Sequence, residues 1–225
     1  MKPIKLAIFD LDGVITSTTN EHFKAWTLLF IKNFGIQLSS DLETYTKGVS
    51  RLDSLKTLLK HSGITIENPM MLEKLAIDKN VIYNELISEF DHTKIFEGVV
   101  QIIDFLKNKG VKIALGSASK NSTFLLERLG IKHMFDYIVD PSNLKSKPEP
   151  DIFLAAMNYF GMNHEQCIGF EDAIAGVEAI KSAGMFAIGI GNENLVSADL
   201  QYPSLKDINY ILLNEVIEGK YEIKK

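Results

Sequence analysis

The sequence predicts an α/β fold in which a parallel sheet carries helices on both faces and an all-helical domain is inserted early in the chain. Three observations predict it. Short apolar runs bounded by Gly, Asp or Ser recur at Ile4–Phe9, Lys112–Leu115, Tyr137–Val139, Cys167–Phe170 and Phe186–Ile190. Near-continuous apolar runs of this length suit strands covered on both faces. Each run also adjoins a longer segment of helical period, as crossover connections between parallel strands require. Finally, strand signals vanish between residues 18 and 90. The expected domains are therefore a core of residues 1–17 and 91–225 and a helical domain of residues 18–90.

In chain order, Ile4–Phe9 opens the sheet and stops at Asp10. Helical patterns follow at Phe23–Phe34, Leu52–His61 and Leu72–Phe90, with polar breaks between them. Val99, Ile102, Ile103 and Leu106 mark one face of a helix that Gly110 terminates. Phe124, Leu125 and Leu129 do the same ahead of Gly130, and Ala173–Ala183 ends at Gly184. Tyr210–Lys225 reads as a terminal helix with a charged tail. No fixed-period repeat or low-complexity segment interrupts this order.

At 225 residues, 46% hydrophobic and 24% charged, the chain has the composition of a soluble globular protein of one or two domains. A net charge of −5 supplies no basic field for nucleic acid, so an anionic ligand must be met by locally placed cations. The apolar run before Asp10 is too short for a signal-peptide core, and no stretch approaches a membrane span. Cys167, the single cysteine, has no internal disulfide partner and sits in an apolar stretch, as a small buried residue does. A cytoplasmic protein is expected, and a monomer, since no long apolar heptad appears. No membrane partner is expected.

Four polar clusters lie just past predicted strands: Asp10 with Asp12, then Ser117, then Lys147, then Glu171 with Asp172. In an open parallel sheet such positions converge in the crevice beyond the carboxyl ends of the strands. Alternation sends Asp10 and Asp12 to one side, while Gly13 allows a sharp turn. Two carboxylates so close need a cation or proton between them, and Mg²⁺ is the natural oxygen-seeking ion. A lone Asp-x-Asp is more often a turn or cap. Glu171 and Asp172 add the carboxylates of a metal site, with helix capping by Asp172 as the structural alternative. Lys147 precedes Pro148 and Pro150, a stiff mount for a cation, although lysines are usually surface groups. Ser117 could hold phosphate oxygens or simply cap the next helix. Together these residue types describe phosphoryl transfer through a carboxylate nucleophile.

Phe9–Asp10–Leu11–Asp12–Gly13–Val14 resembles the first motif of the haloacid dehalogenase superfamily, with Ser117, Lys147 and Gly169–Phe170–Glu171–Asp172 as the second, third and fourth. Within that superfamily the chain is similar to the β-phosphoglucomutases. The likeness is carried by Asp12–Thr16, His22–Trp26, Lys47–Arg51, Lys79–Asn80, Ser117–Asn121 and Lys147–Pro148. The resemblance implies a Rossmann-like core with a helical cap. It makes Asp10 the nucleophile and Asp12 the general acid and base. It also places Mg²⁺ on Asp10, the Asp12 carbonyl, Glu171 and Asp172. Ser117, Ala118 and Lys147 would surround the transferring phosphoryl group; Arg51, Ser119 and Asn121, with Lys120 nearby, would meet a second phosphate. Thr18, His22, Lys47, Gly48, Ser54 and Lys79 match positions that bind the sugar or set Asp12. Trp26 is either ligand wall or core packing. Ser17 departs from the family's Thr-Asp-Thr at the core–cap hinge. The implied reaction interconverts β-D-glucose 1-phosphate and glucose 6-phosphate through β-glucose 1,6-bisphosphate. A sugar-phosphate phosphatase, or a mutase for another hexose phosphate, would share Asp10, Asp12, Lys147 and Asp172. A non-catalytic module would have lost one of them.

Overall fold

Among the described residues six parallel strands form the sheet: β1 (Leu6–Phe9), β2 (Lys112–Leu115), β3 (Tyr137–Ile138), β4 (Cys167–Glu171), β5 (Phe186–Ile190) and β6 (Leu200–Tyr202). The structure is a computed structural model and describes residues 2–46 and 50–222. Strand order is β3-β2-β1-β4-β5-β6, so β1 lies centrally and the order reverses on either side of it. All four residues of β1 are buried, as a strand with neighbours on both edges and helices on both faces must be.

Helices α1 (Thr19–Phe34), α2 (Arg51–His61), α3 (Pro69–Ser88), α4 (Val99–Asn108), α5 (Ser122–Arg128), α6 (Asp151–Phe160), α7 (Ile174–Ser182) and α8 (Tyr210–Ile217) complete the fold. Leu6 and Ile8 share one core cluster with Phe153 and Ala156 from α6 and with Val177 and Ile180 from α7. The α4 stripe of Val99, Ile102, Ile103 and Leu106 is wholly buried, and α4 packs on β2. Among the described residues no helix is long and apolar enough to cross a membrane.

Among the elements that differ from the pattern reading, α1 begins at Thr19, four residues before Phe23, and two others have a clear physical cause. The strand β6 has only three residues, with Gln201 in the middle, too short for alternation to register. It is recruited by its pairing with β5, where Ile188, Gly189 and Ile190 align with Leu200, Gln201 and Tyr202. The α3 helix begins three residues before Leu72, because the Asn68 side chain accepts the Met70 N–H at 3.0 Å and Pro69 occupies the first turn.

The chain divides into two compact units, Met1–Ser17 with Asp91–Lys225, and Thr18–Phe90. The helical unit has its own core, built from Trp26, Leu29 and Phe30 of α1, Leu55, Leu58 and Leu59 of α2, and Leu75 of α3. In the sheet unit, the segments that lead to and from the insertion are stitched together. The Phe96 N–H donates to the Ile15 carbonyl at 2.8 Å, and the buried Thr16 hydroxyl donates to the Lys94 carbonyl at 2.8 Å. Thr16 also accepts the Gly13 N–H at 2.8 Å and bridges to Asp12, closing the turn that follows β1.

Candidate active site

Strand register sets the level of the acidic groups. Phe9 aligns with both Leu115 and Phe170, so Asp10 emerges from β1 beside Gly116 and Glu171. The Asp10 N–H extends the ladder to the Phe170 carbonyl at 3.0 Å. Gly13 then turns the chain at φ +83°, where a Cβ would lie 1.8 Å from Asp172 Oδ2. Only glycine lets this loop and the Asp172 carboxylate share that space.

Lys147 reaches into this cluster from the loop before α6. Its Nζ stands 2.5 Å from Asp10 Oδ1 and 2.5 Å from Glu171 Oε1, and 5.3 Å from the centre of the Phe153 ring. The Lys147–Pro148 peptide is cis. Glu171 is held on its other side as well, since Oε2 accepts the N–H groups of Asp172 at 2.8 Å and Ala173 at 3.0 Å. Asp172 therefore does not cap α7: Ala173 occupies the N-cap without a side-chain bond, and Glu171 receives the N–H groups there.

Asp10 and Glu171 are buried at 8% and 2% exposure. Burial raises the Asp10 carboxyl to about 7; Lys147 opposes the rise, while Glu171 and Asp12 add to it. Asp172 rises to about 8 through burial and the neighbouring charges of Glu171 and Asp10. Burial alone would lower the Lys147 ammonium, but Asp10 and Glu171 outweigh it and hold the group above the usual lysine range.

After β2 the chain makes two successive serine turns. Ser117 Oγ accepts the Ser119 N–H at 3.1 Å, and Ser119 Oγ accepts the Asn121 N–H at 3.3 Å. Asn121 is the N-cap residue of α5, so Ser117 shapes the loop and does not cap the helix. Ser117 is buried, Ser119 and Asn121 are half-buried, and Ala118 and Lys120 are exposed.

In the helical unit, Lys79 of α3 lies 2.6 Å from His22 Nδ1 on α1. Its ammonium sits 5.1 Å from the centre of the Trp26 ring and 4.8 Å from that of Tyr83, and the Tyr83 ring stacks on His22 at 4.0 Å. Lys79 is only 2% exposed. Burial, helped by the Arg51 charge, lowers its amine to about 7. Burial, Lys79 and Arg51 lower His22 to about 3, so the imidazole is neutral. Trp26 serves the hydrophobic core and Lys79 together. Arg51 opens α2 behind Ser50, whose hydroxyl oxygen accepts the Asp53 N–H at 3.2 Å; burial lowers its guanidinium. Ser54 and Thr18 are buried. Lys47 and Gly48 fall outside the described residues.

Comparison with known proteins gives the family. The family model for haloacid dehalogenase-like hydrolases matches residues 4–184. The chain belongs to the haloacid dehalogenase-like hydrolases. This hydrolase-family chain is 40% identical to the β-phosphoglucomutase of Bacillus subtilis over 225 residues, 99% of each protein. It is 29% identical over 185 residues to a phosphorylated carbohydrates phosphatase of Thermotoga maritima, covering 81% of this chain and 82% of that one. A crystal structure of β-phosphoglucomutase from Clostridium difficile superposes with a TM-score of 0.85 at 37% identity, covering 96% of this chain and 98% of that one.

As in other haloacid dehalogenase-like hydrolases, a divalent metal has a place in this chain. Carboxylate oxygens of Asp10, Glu171 and Asp172 lie within 4.8 Å of one another, and the donor set consists entirely of hard oxygens. Sequence reading missed two participants. Tyr83 falls four residues after Lys79, one turn along α3, a spacing that could have flagged it. Phe153, beneath the Lys147 ammonium, carried no signal apart from its place in a helix stripe.

Proposed function

We propose that the chain is a β-phosphoglucomutase, interconverting β-D-glucose 1-phosphate and glucose 6-phosphate through β-glucose 1,6-bisphosphate and a phosphorylated Asp10. The observation that carries this reading is the buried Asp10 carboxylate gripped by Lys147 at 2.5 Å at the end of the central strand. Similarity to β-phosphoglucomutase along the whole chain supports the choice of substrate.

In the first half-reaction an Asp10 oxygen bonds to the phosphorus of the bisphosphate while the bond from phosphorus to the sugar oxygen breaks. Asp12 gives its proton to that leaving oxygen. Glucose 6-phosphate then leaves and β-glucose 1-phosphate enters; Asp12 takes the proton from its 6-hydroxyl as that oxygen bonds to the phosphorus, the bond from phosphorus to Asp10 breaks, and the bisphosphate is formed again. Lys147 balances negative charge on the phosphoryl oxygens, and the Ser117 loop surrounds them. Asp10, Glu171, Asp172 and the Asp12 carbonyl would hold Mg²⁺, which when bound supplies further charge neutralisation at the same oxygens. We assign the non-transferring phosphate to Ser119, Asn121 and Arg51, and the sugar to His22, Lys79 and Thr18. The enzyme is taken to act as a cytoplasmic monomer.

Similarity to a phosphorylated carbohydrates phosphatase favours a second reading, hydrolysis of a sugar phosphate at the same Asp10. The two readings part in one assay. Purified protein is given Mg²⁺, β-glucose 1-phosphate and a trace of bisphosphate, and glucose 6-phosphate and free phosphate are followed together. Isomerisation without phosphate release supports the mutase; steady release without isomerisation selects the phosphatase.

A further inference from the structure

We propose that Gly176 is a positioning residue for the phosphotransfer centre: its missing side chain is the seat of the Glu171 carboxylate, and through Glu171 it sets Lys147 against Asp10. Gly176 lies in the first turn of α7 and is buried. Its backbone is ordinary right-handed helix, since it is absent from the glycines with positive φ. Helix geometry therefore does not require glycine here. On propensity alone alanine would be the better residue.

The reason lies across the turn. A Cβ at position 176 would fall 1.9 Å from Glu171 Oε1, 2.0 Å from Cδ and 2.5 Å from Oε2. All three atoms belong to the carboxylate, and the end of a glutamate side chain can ordinarily move aside. Here both of its oxygens are engaged, Oε1 by Lys147 and Oε2 by the Asp172 and Ala173 N–H groups. Admitting a methyl group would push the carboxylate by about an ångström or more, beyond the window in which those bonds survive. The displaced carboxylate would release one of the two anchors that aim Lys147 at Asp10. The fold could absorb the change, but the catalytic geometry could not.

This inference rests on Asp10 carrying the phosphoryl group and not on which sugar is used. Its decisive measurement needs neither substrate nor metal. Amide hydrogen exchange is followed by NMR in metal-free wild-type protein and in Gly176→Ala. The Asp172 and Ala173 amides, bonded to Glu171, are expected to exchange at least tenfold faster in the variant, while those of Ala179 and Ile180 keep their protection. Turnover of Gly176→Ala is expected to fall at least tenfold. Adding Glu171→Asp, which shortens the carboxylate arm by one methylene, is expected to recover part of that loss. Unchanged exchange at Asp172 and Ala173 overturns the proposal. So does loss of protection along all of α7, which would make Gly176 a helix-packing residue, and so does a double variant whose losses simply multiply.

Discussion

Asp10 and Lys147 are 137 positions apart, yet their side chains meet at 2.5 Å because β1 and the loop after β3 finish at the same end of the sheet. Their positions past strand ends could be read from the sequence, since each follows an apolar run. Their pairing could not, because which strands neighbour β1 is a property of topology. Gly176 was equally hidden, its meaning residing in a carboxylate five positions away. Asp10→Asn should abolish turnover and the phosphorylated enzyme, as judged by isomerisation and by mass spectrometry of the protein after bisphosphate treatment. The raised carboxyls of Asp10 and Asp172, at about 7 and 8, give a second prediction. A cation must displace those protons, so affinity for Mg²⁺ should rise with pH between about 6 and 8, and binding near neutrality should release protons. Calorimetric titration in buffers of different ionisation enthalpy measures both. Affinity independent of pH would contradict it.

Helices α1 and α3 hold an amine and an imidazole together without a carboxylate in contact at either nitrogen among the pairs described. Both groups have folded pKa values below their unfolded ones, and the sign of the linkage follows. For Lys79 the unfolded chain binds more protons between about 7 and 10.5, so stability rises with pH across that window. For His22 the same holds between about 3 and 6.5, so acidification through that window lowers stability. Lys79→Met, of similar length and apolar, should therefore raise stability near pH 7 by about 1–4 kcal/mol while impairing turnover. Urea unfolding at pH 7 and at pH 10 tests it, with the gain expected to shrink at the higher pH. His22→Asn should flatten the fall in melting temperature between pH 6.5 and 4. Neither device was legible in composition. The helices were, because their apolar stripes follow a 3.6-residue period, whereas β6 is too short for any period and depends on β5 for its existence.

For the molecule as a whole, mutase activity differs from hydrolysis in needing a second phosphate to be recognised. Arg51→Ala should lower isomerisation of β-glucose 1-phosphate about 10–100-fold, the loss of a charge-assisted bond worth roughly 1.5–3 kcal/mol. Cleavage of a small phosphoester carrying a single phosphate should change far less, and equal losses in the two assays would remove Arg51 from that role. The parallel sheet could be read from the sequence because buried strands announce themselves as unbroken apolar runs. The stitching of Ile15 to Phe96 and of Thr16 to Lys94 could not, since it joins segments separated by an entire helical unit. Those two bonds mean that the excursion leaves and re-enters through a single doorway. A polypeptide whose exit and entrance touch can exchange what lies between them, lengthening or replacing the guest while the host sheet keeps its register. Diversification of substrate choice in such a protein needs no remodelling of Asp10, Lys147 or Glu171, which all belong to the host.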